Sequence, residues 1–145
     1  MSCYALAPRV HFIEQFEVVG ARGLDSIRLR HRDRGFETTV PGLVLEAQLE
    51  RPGSPARFVL LLTDDSPFEE TLHMVLLGED GRVLEHQQLD QPYTSGLLQD
   101  LHIEAPDMLR FRFFGDYTHH LQIHSRPRGL RRRWLQLQSS HRGPP

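Results

Sequence analysis

The chain has 145 residues, 39% of them hydrophobic and 25% charged, with a formal net charge of −2. That length suits one domain able to bury about two thirds of its unfolded surface. The near-neutral balance excludes bulk attraction to nucleic acid or to an acidic membrane surface, so such a partner would need a local patch.

In chain order, Val10 to Val19 places Val10, Phe12, Phe16 and Val18 at even spacing with Glu14 interrupting, which predicts a strand with one compromised position. Gly20 and Gly23 break it. Ile27 and Leu29 alternate with Arg28 and Arg30, a short strand with a cationic outer face. Leu43, Leu45, Ala47 and Leu49 alternate with Glu46, Gln48 and Glu50, a half-buried strand closed by Pro52-Gly53-Ser54-Pro55.

Phe58 to Leu62 is apolar at every position, which predicts a central strand covered on both faces. Thr63 to Pro67 ends it, because Asp and Ser side chains satisfy nearby backbone groups and Pro67 has no N–H for a ladder. Thr71 to Leu77 follows as a strand, and the Asp80-Gly81 pair tolerates positive φ, so Arg82 to Leu89 returns as its hairpin partner. Later, Leu97, Leu101 and Ile103 oppose Asp100, His102 and Glu104. Leu109, Phe111 and Phe113 oppose Arg110 and Arg112, while Tyr117, Leu121 and Ile123 oppose His120, Gln122 and His124. Leu130 to Leu137 reads as a strand at a sheet edge.

Repeated period-two alternation with short turns and no long helical period predicts an all-β fold. The expected architecture is an antiparallel two-sheet β-sandwich, with a small β-barrel as the alternative. Residues 1–138 form a single all-β domain in this reading, and 139–145 a disordered C-terminal tail.

All 17 basic residues are Arg, and the chain has neither Lys nor Asn. This points to codon bias in a GC-rich bacterial genome. It removes lysine as Schiff base or phosphate clamp and asparagine as glycosylation acceptor. Cys3 is the single cysteine, which excludes an internal disulfide and a cysteine-based zinc site and fits a reducing compartment. The first residues lack a charged segment followed by a long apolar core, and no apolar run approaches the ~20 residues of a membrane span. The expectation is a cytoplasmic protein without a membrane partner.

Four constellations invite chemistry. Asp64, Asp65, Glu69 and Glu70 supply enough oxygen for a hard cation such as calcium, but their spacing matches no EF-hand loop and acids at turns usually cap backbone groups. His119, His120 and His124 suggest a metal, yet residues i and i+4 on a strand lie ~13 Å apart. His119 falls in the core-facing register, as a buried hydrogen-bonded imidazole would. The run Arg126, Arg128, Arg131, Arg132, Arg133 with Trp134 could engage phosphates and stack on bases. On a strand its arginines would divide between two faces, and a charge-guarded edge explains the run without a ligand.

The most coherent feature is the outward face of the late strands, with His102, Arg110, Arg112, His120, Gln122 and His124, to which Tyr93 in the preceding loop adds an aromatic contact. No Gly-x-Ser-x-Gly elbow, phosphate loop or cofactor motif occurs, so no catalytic residue, cofactor or metal is assigned. The reading is a non-catalytic binding or accessory module for another protein. Its alternatives are a nucleic-acid binder using Arg126 to Trp134, and a calcium-binding module or small enzyme using Asp64 to Glu70. Self-association through an edge strand is the expected route to a homo-oligomer.

Overall fold

The computed structural model describes residues 9–66, 70–90, 96–104, 107–115 and 117–141. Twelve strands occur among them: β1 (His11–Phe12), β2 (Phe16–Arg22), β3 (Ser26–His31), β4 (Glu37–Pro41), β5 (Val44–Glu50), β6 (Ala56–Thr63), β7 (Thr71–Gly78), β8 (Val83–Asp90), β9 (Gln99–Glu104), β10 (Met108–Arg112), β11 (Tyr117–Arg128) and β12 (Arg133–His141). Every pairing is antiparallel. The sequence predicts two sheets, and the structure has three. A five-stranded sheet A runs β1-β5-β6-β7-β8, a three-stranded sheet B runs β2-β3-β4, and a four-stranded sheet C runs β12-β11-β10-β9. None closes into a barrel.

The third sheet follows from the composition of β6 and β7. Successive side chains of a strand point to opposite faces, so two strands apolar at nearly every position need cover on both sides. Val59 and Leu61 of β6, with Leu72, Met74 and Leu76 of β7, join one core cluster with Leu109, Phe111, Leu121 and Leu135 of sheet C. Phe58, Leu60 and Leu62 of β6, with Val75 and Leu77 of β7, join a second with Phe16, Ile27, Leu29 and Val40 of sheet B. The central placement of Phe58 to Leu62 therefore stands, and the Asp80-Gly81 hairpin joins β7 to β8 with Gly81 at φ 90°.

Elsewhere the alternation is interrupted. The strand predicted over Val10 to Val19 breaks at residues 13–15 into β1, which pairs in sheet A, and β2, which pairs in sheet B. Glu14 sits at that break. A register shift between Leu45 and Ala47 turns Leu45 to the sheet B cluster while Ala47 and Leu49 face the other, so the expected single apolar face of β5 is divided. Asp100 takes positive φ, and Leu98 packs on the core where Leu97 was the expected residue; Leu97 is 68% exposed. At the C-terminus β12 continues to His141, so Ser139 and Ser140 belong to a strand where a tail is predicted.

One buried ion pair crosses between sheets. Arg51, at the end of β5, is 5% exposed and donates to Asp107 Oδ2 at 2.7 Å and to the Ile123 carbonyl of β11. The other oxygen of Asp107 accepts the backbone N–H groups of Arg9 and Val10 at 2.8 and 3.0 Å. Sheet A, sheet C and the chain entering β1 thus meet on one carboxylate.

Two measurements check this arrangement. Leu60→Asp puts an unpaired carboxylate in a fully buried site at a cost of several kcal/mol against a total stability of ~5 to 15 kcal/mol, so the variant should yield no cooperatively folding soluble protein. Asp107→Ala leaves a buried guanidinium uncompensated and should lower chemical-denaturation stability by about 3 to 5 kcal/mol.

Candidate functional site

Sheet C places six of the seven predicted face residues together. Register pairs His102 of β9 with Arg110 of β10, and Arg110 with His120 of β11. Gln122 lies opposite Met108, Arg112 opposite Thr118, and His124 Nε2–H donates to Gln136 Oε1 of β12 at 3.0 Å. The alternation of β10 and β11 carries these side chains away from Leu109, Phe111, Leu121 and Ile123, which are buried. Tyr93 lies outside the described residues.

The charges on this face are matched. Arg110 meets Glu104 at 3.1 Å, Glu104 also meets His102 at 3.2 Å, and Arg112 meets Asp100 at 3.1 Å. Exposed pairs of this kind contribute ~0 to 1 kcal/mol each. Their main effect is to cancel the field over the face.

The arginine run is built differently from its predicted form. Residues 129–132 form a turn, closed by the Arg132 N–H donating to the Gly129 carbonyl at 3.2 Å, with Gly129 at φ 80° and Arg132 at φ 54°. β12 therefore starts at Arg133, and the arginines do not divide between the two faces of a strand spanning Leu130 to Leu137. Arg126, Arg128, Arg131, Arg132 and Arg133 are all exposed around the hairpin end, with Leu130 at its tip. Among the described residues none of these five guanidinium groups has an ion-pair partner, whereas Arg28, Arg30, Arg32, Arg51, Arg57, Arg110 and Arg112 each have one.

Trp134 is half-buried against the sheet A–sheet C core and is no exposed platform. At the base of the hairpin the Glu85 carboxylate of β8 accepts the backbone N–H groups of Trp134 and Leu135 at 2.7 and 3.2 Å. Gln87 donates to the Leu135 carbonyl at 2.6 Å.

The acidic turn holds itself together. Glu70 is buried, and its two oxygens accept the backbone N–H groups of Asp64, Ser66 and Thr71 at 2.7, 3.2 and 3.3 Å. Asp64 turns instead to His73, whose Nε2–H it accepts at 2.8 Å. Asp65 is exposed at φ 57°, and Glu69 lies outside the described residues. The carboxylates therefore point to separate partners. Among the described residues no group of three His, Cys, Asp or Glu side chains is arranged to hold a metal ion.

Sequence reasoning missed a chain of proton-sharing groups here. His73 Nδ1 lies 3.0 Å from His86 Nε2 with ring centroids 5.2 Å apart, so the two nitrogens point at one another with a single proton between them. With His73 donating Nε2–H to Asp64, its Nδ1 accepts and His86 donates. The available signal was His73 itself, a polar residue inside an apolar run, which must be hydrogen-bonded when buried.

Two further imidazoles are core residues. His31 lies among Phe16, Phe36 and Phe58, accepts the Arg34 N–H at Nδ1 and bonds Gln15 through Nε2. His119 bonds the Ser139 hydroxyl through Nδ1 at 2.7 Å and the Phe113 carbonyl through Nε2 at 3.2 Å, in the core-facing register predicted for it. Burial pushes the pKa of His31, His86 and His119 down, and His73 adds to the effect at His86.

No protein-family model matches the chain, and neither curated proteins nor solved structures give a match. Among the described residues no helix is long and apolar enough to cross a membrane.

The three lowered imidazoles set a pH dependence. The fold favours their neutral form, so their stabilisation is complete above the ordinary value of 6.5 and is lost as pH falls from there through each lowered folded value. The melting temperature should therefore be level above that value and decline below it. His119→Gln, measured by thermal melts across the same range, should make the decline shallower while lowering stability at neutral pH.

Proposed function

We propose that this chain is a non-catalytic binding module that takes up an acidic segment of another protein on its arginine hairpin. The scaffold in this reading is a sandwich of sheets A and C, with sheet B over the opposite face of A. The observation that carries it is the set of five exposed guanidinium groups at residues 126–133 that have no ion-pair partner among the described residues, in a chain of net charge −2 whose β10 arginines, Arg110 and Arg112, are each neutralised. Uncompensated like charges at one tip raise the local potential and steer an oppositely charged partner.

Acidic protein is favoured over single-stranded nucleic acid by what accompanies the charge. Base recognition uses exposed aromatic faces for stacking, and Trp134 is half-buried and packed against the core cluster. The exposed apolar group at the tip is Leu130, whose aliphatic side chain suits a peptide side chain.

A fluorescent Glu/Asp-rich peptide, titrated by anisotropy, should bind with an affinity that falls as salt rises. Replacing Arg128, Arg131 and Arg133 together with Ser removes about three exposed pairs worth ~0.5 kcal/mol each, which weakens binding roughly tenfold. Tighter binding of oligodeoxythymidylate or single-stranded RNA than of the peptide, lost in the same triple variant, would reverse the assignment in favour of nucleic acid.

A further inference from the structure

The edge of β12 beside the hairpin is open in a specific register. Ile123 and Leu135 face one another across β11 and β12, yet the Ile123 N–H donates to the Asp107 carbonyl on the β10 side, and the Leu135 N–H and C=O bond to Glu85 and Gln87 of β8. The backbone groups of that pair therefore point away from one another, as in the non-hydrogen-bonded pairs of an antiparallel ladder. By the two-residue period of a strand, the N–H and C=O groups of Leu137 and Ser139 point outward as well. Among the described residues nothing bonds them, and β12 is the terminal strand of sheet C.

Three observations converge on that edge. Glu85 and Gln87 give Leu135 an acceptor and a donor, which is what the next strand of a sheet would give, so the edge is satisfied at Leu135, while two and four residues on it has no partner among the described residues. A cavity of about 550 Å³ lies alongside, with Gln87, Leu135, Leu137, Arg128 and Arg131 in its wall. Natural edges are guarded by charge, proline or bulges, but Leu135 to Ser140 reads Leu-Gln-Leu-Gln-Ser-Ser, with neither a charge nor a proline. The arginines stand at one end of this edge and leave its length unguarded.

We infer that the acidic partner segment binds by strand addition, pairing its backbone with Leu137 and Ser139 on the open edge of β12 while its carboxylates reach Arg128, Arg131 and Arg133. This rests on the assignment of the hairpin to an acidic partner and adds its binding mode. Main-chain pairing supplies affinity that is independent of sequence, and the hairpin supplies the preference for acid. A second copy of the chain is a poorer occupant, because the residues of β12 that would meet the partner hairpin, Ser139 to His141, include no carboxylate.

The test uses a short synthetic peptide alternating Glu with Val, and two forms of it N-methylated at alternate amides in either phase. In strand addition only every second amide faces the edge. One methylated form should therefore lose roughly tenfold or more in affinity through its missing hydrogen bonds, and the other should bind like the parent with the same salt dependence. Amide exchange supplies a second readout: the Leu137 and Ser139 N–H groups should exchange readily in the free protein and become protected by the parent peptide.

Equal binding of all three peptides, with Leu137 and Ser139 still unprotected, would overturn strand addition and leave an acidic partner held by the hairpin alone. Failure of the parent peptide to bind at low salt would remove the acidic-partner reading and this inference with it. A concentration-dependent dimer that protects the same two amides without peptide would assign the edge to a second copy.

Discussion

The rest of the structure depends on a hairpin that has no polar face. Phe58 to Leu62 of β6 and Leu72 to Leu77 of β7 are buried on both sides, with His73 the one polar side chain among them. A sheet containing such strands must be covered twice, and each covering sheet needs only one apolar face. This accounts for the alternating pattern of β3, β10 and β11 around a centre that does not alternate. It also accounts for the treatment of His73, which meets the buried environment with both ring nitrogens bonded, to Asp64 and to His86.

Covering a twisted central sheet on both faces requires the outer sheets to be fixed in position, and polar contacts do this at two places on sheet C. At one, Asp107 gathers Arg51 of sheet A and the backbone of Arg9 and Val10. At the other, Glu85 and Gln87 of β8 hold the start of β12. The first is costly, since Arg51 Nε and Nη1 are buried without a hydrogen-bond partner. A buried ion pair of this kind contributes little net stability over a well-packed apolar replacement. Its value here is geometric, because Asp107 accepts bonds from two directions that no apolar side chain could relate. The second contact has a different consequence, since it fixes the hairpin of residues 124–133 from its base and leaves its tip exposed.

The β class, the buried centre and the Asp80-Gly81 hairpin are legible in the sequence because each rests on local pattern. So is the outward face of β10 and β11, whose alternation runs without a break through Arg110, Arg112, His120 and Gln122. What escapes is phase. The shift at Glu46 sends Leu45 and Ala47 to opposite clusters, and positive φ at Asp100 exchanges Leu97 for Leu98. Neither has a glycine to mark it. The hairpin is misread because the turn that Gly129 opens runs on to Arg132, which adopts positive φ without the residue type that usually signals it. Partnerships such as Arg51 with Asp107, or Asp64 with His73 and His86, join residues far apart or on different strands, and composition carries no trace of them.

The absence of lysine changes how a binding surface is recognised in this chain. With every cationic side chain an arginine, abundance of arginine carries no information, and the run at residues 126–133 is no richer in meaning than its letters. Pairing does carry information. Arg110 and Arg112 on the sheet face meet Glu104 and Asp100, so their fields cancel at short range, and what remains beyond a Debye length of ~8 Å is small. Among the described residues the hairpin arginines have no such partner, so their like charges reinforce one another, and the Glu85 carboxylate is turned toward backbone N–H groups of β12. The same carboxylate that pins the strand is thereby kept from neutralising the tip. Fixing the hairpin and leaving its charge exposed are thus two results of a single side-chain placement.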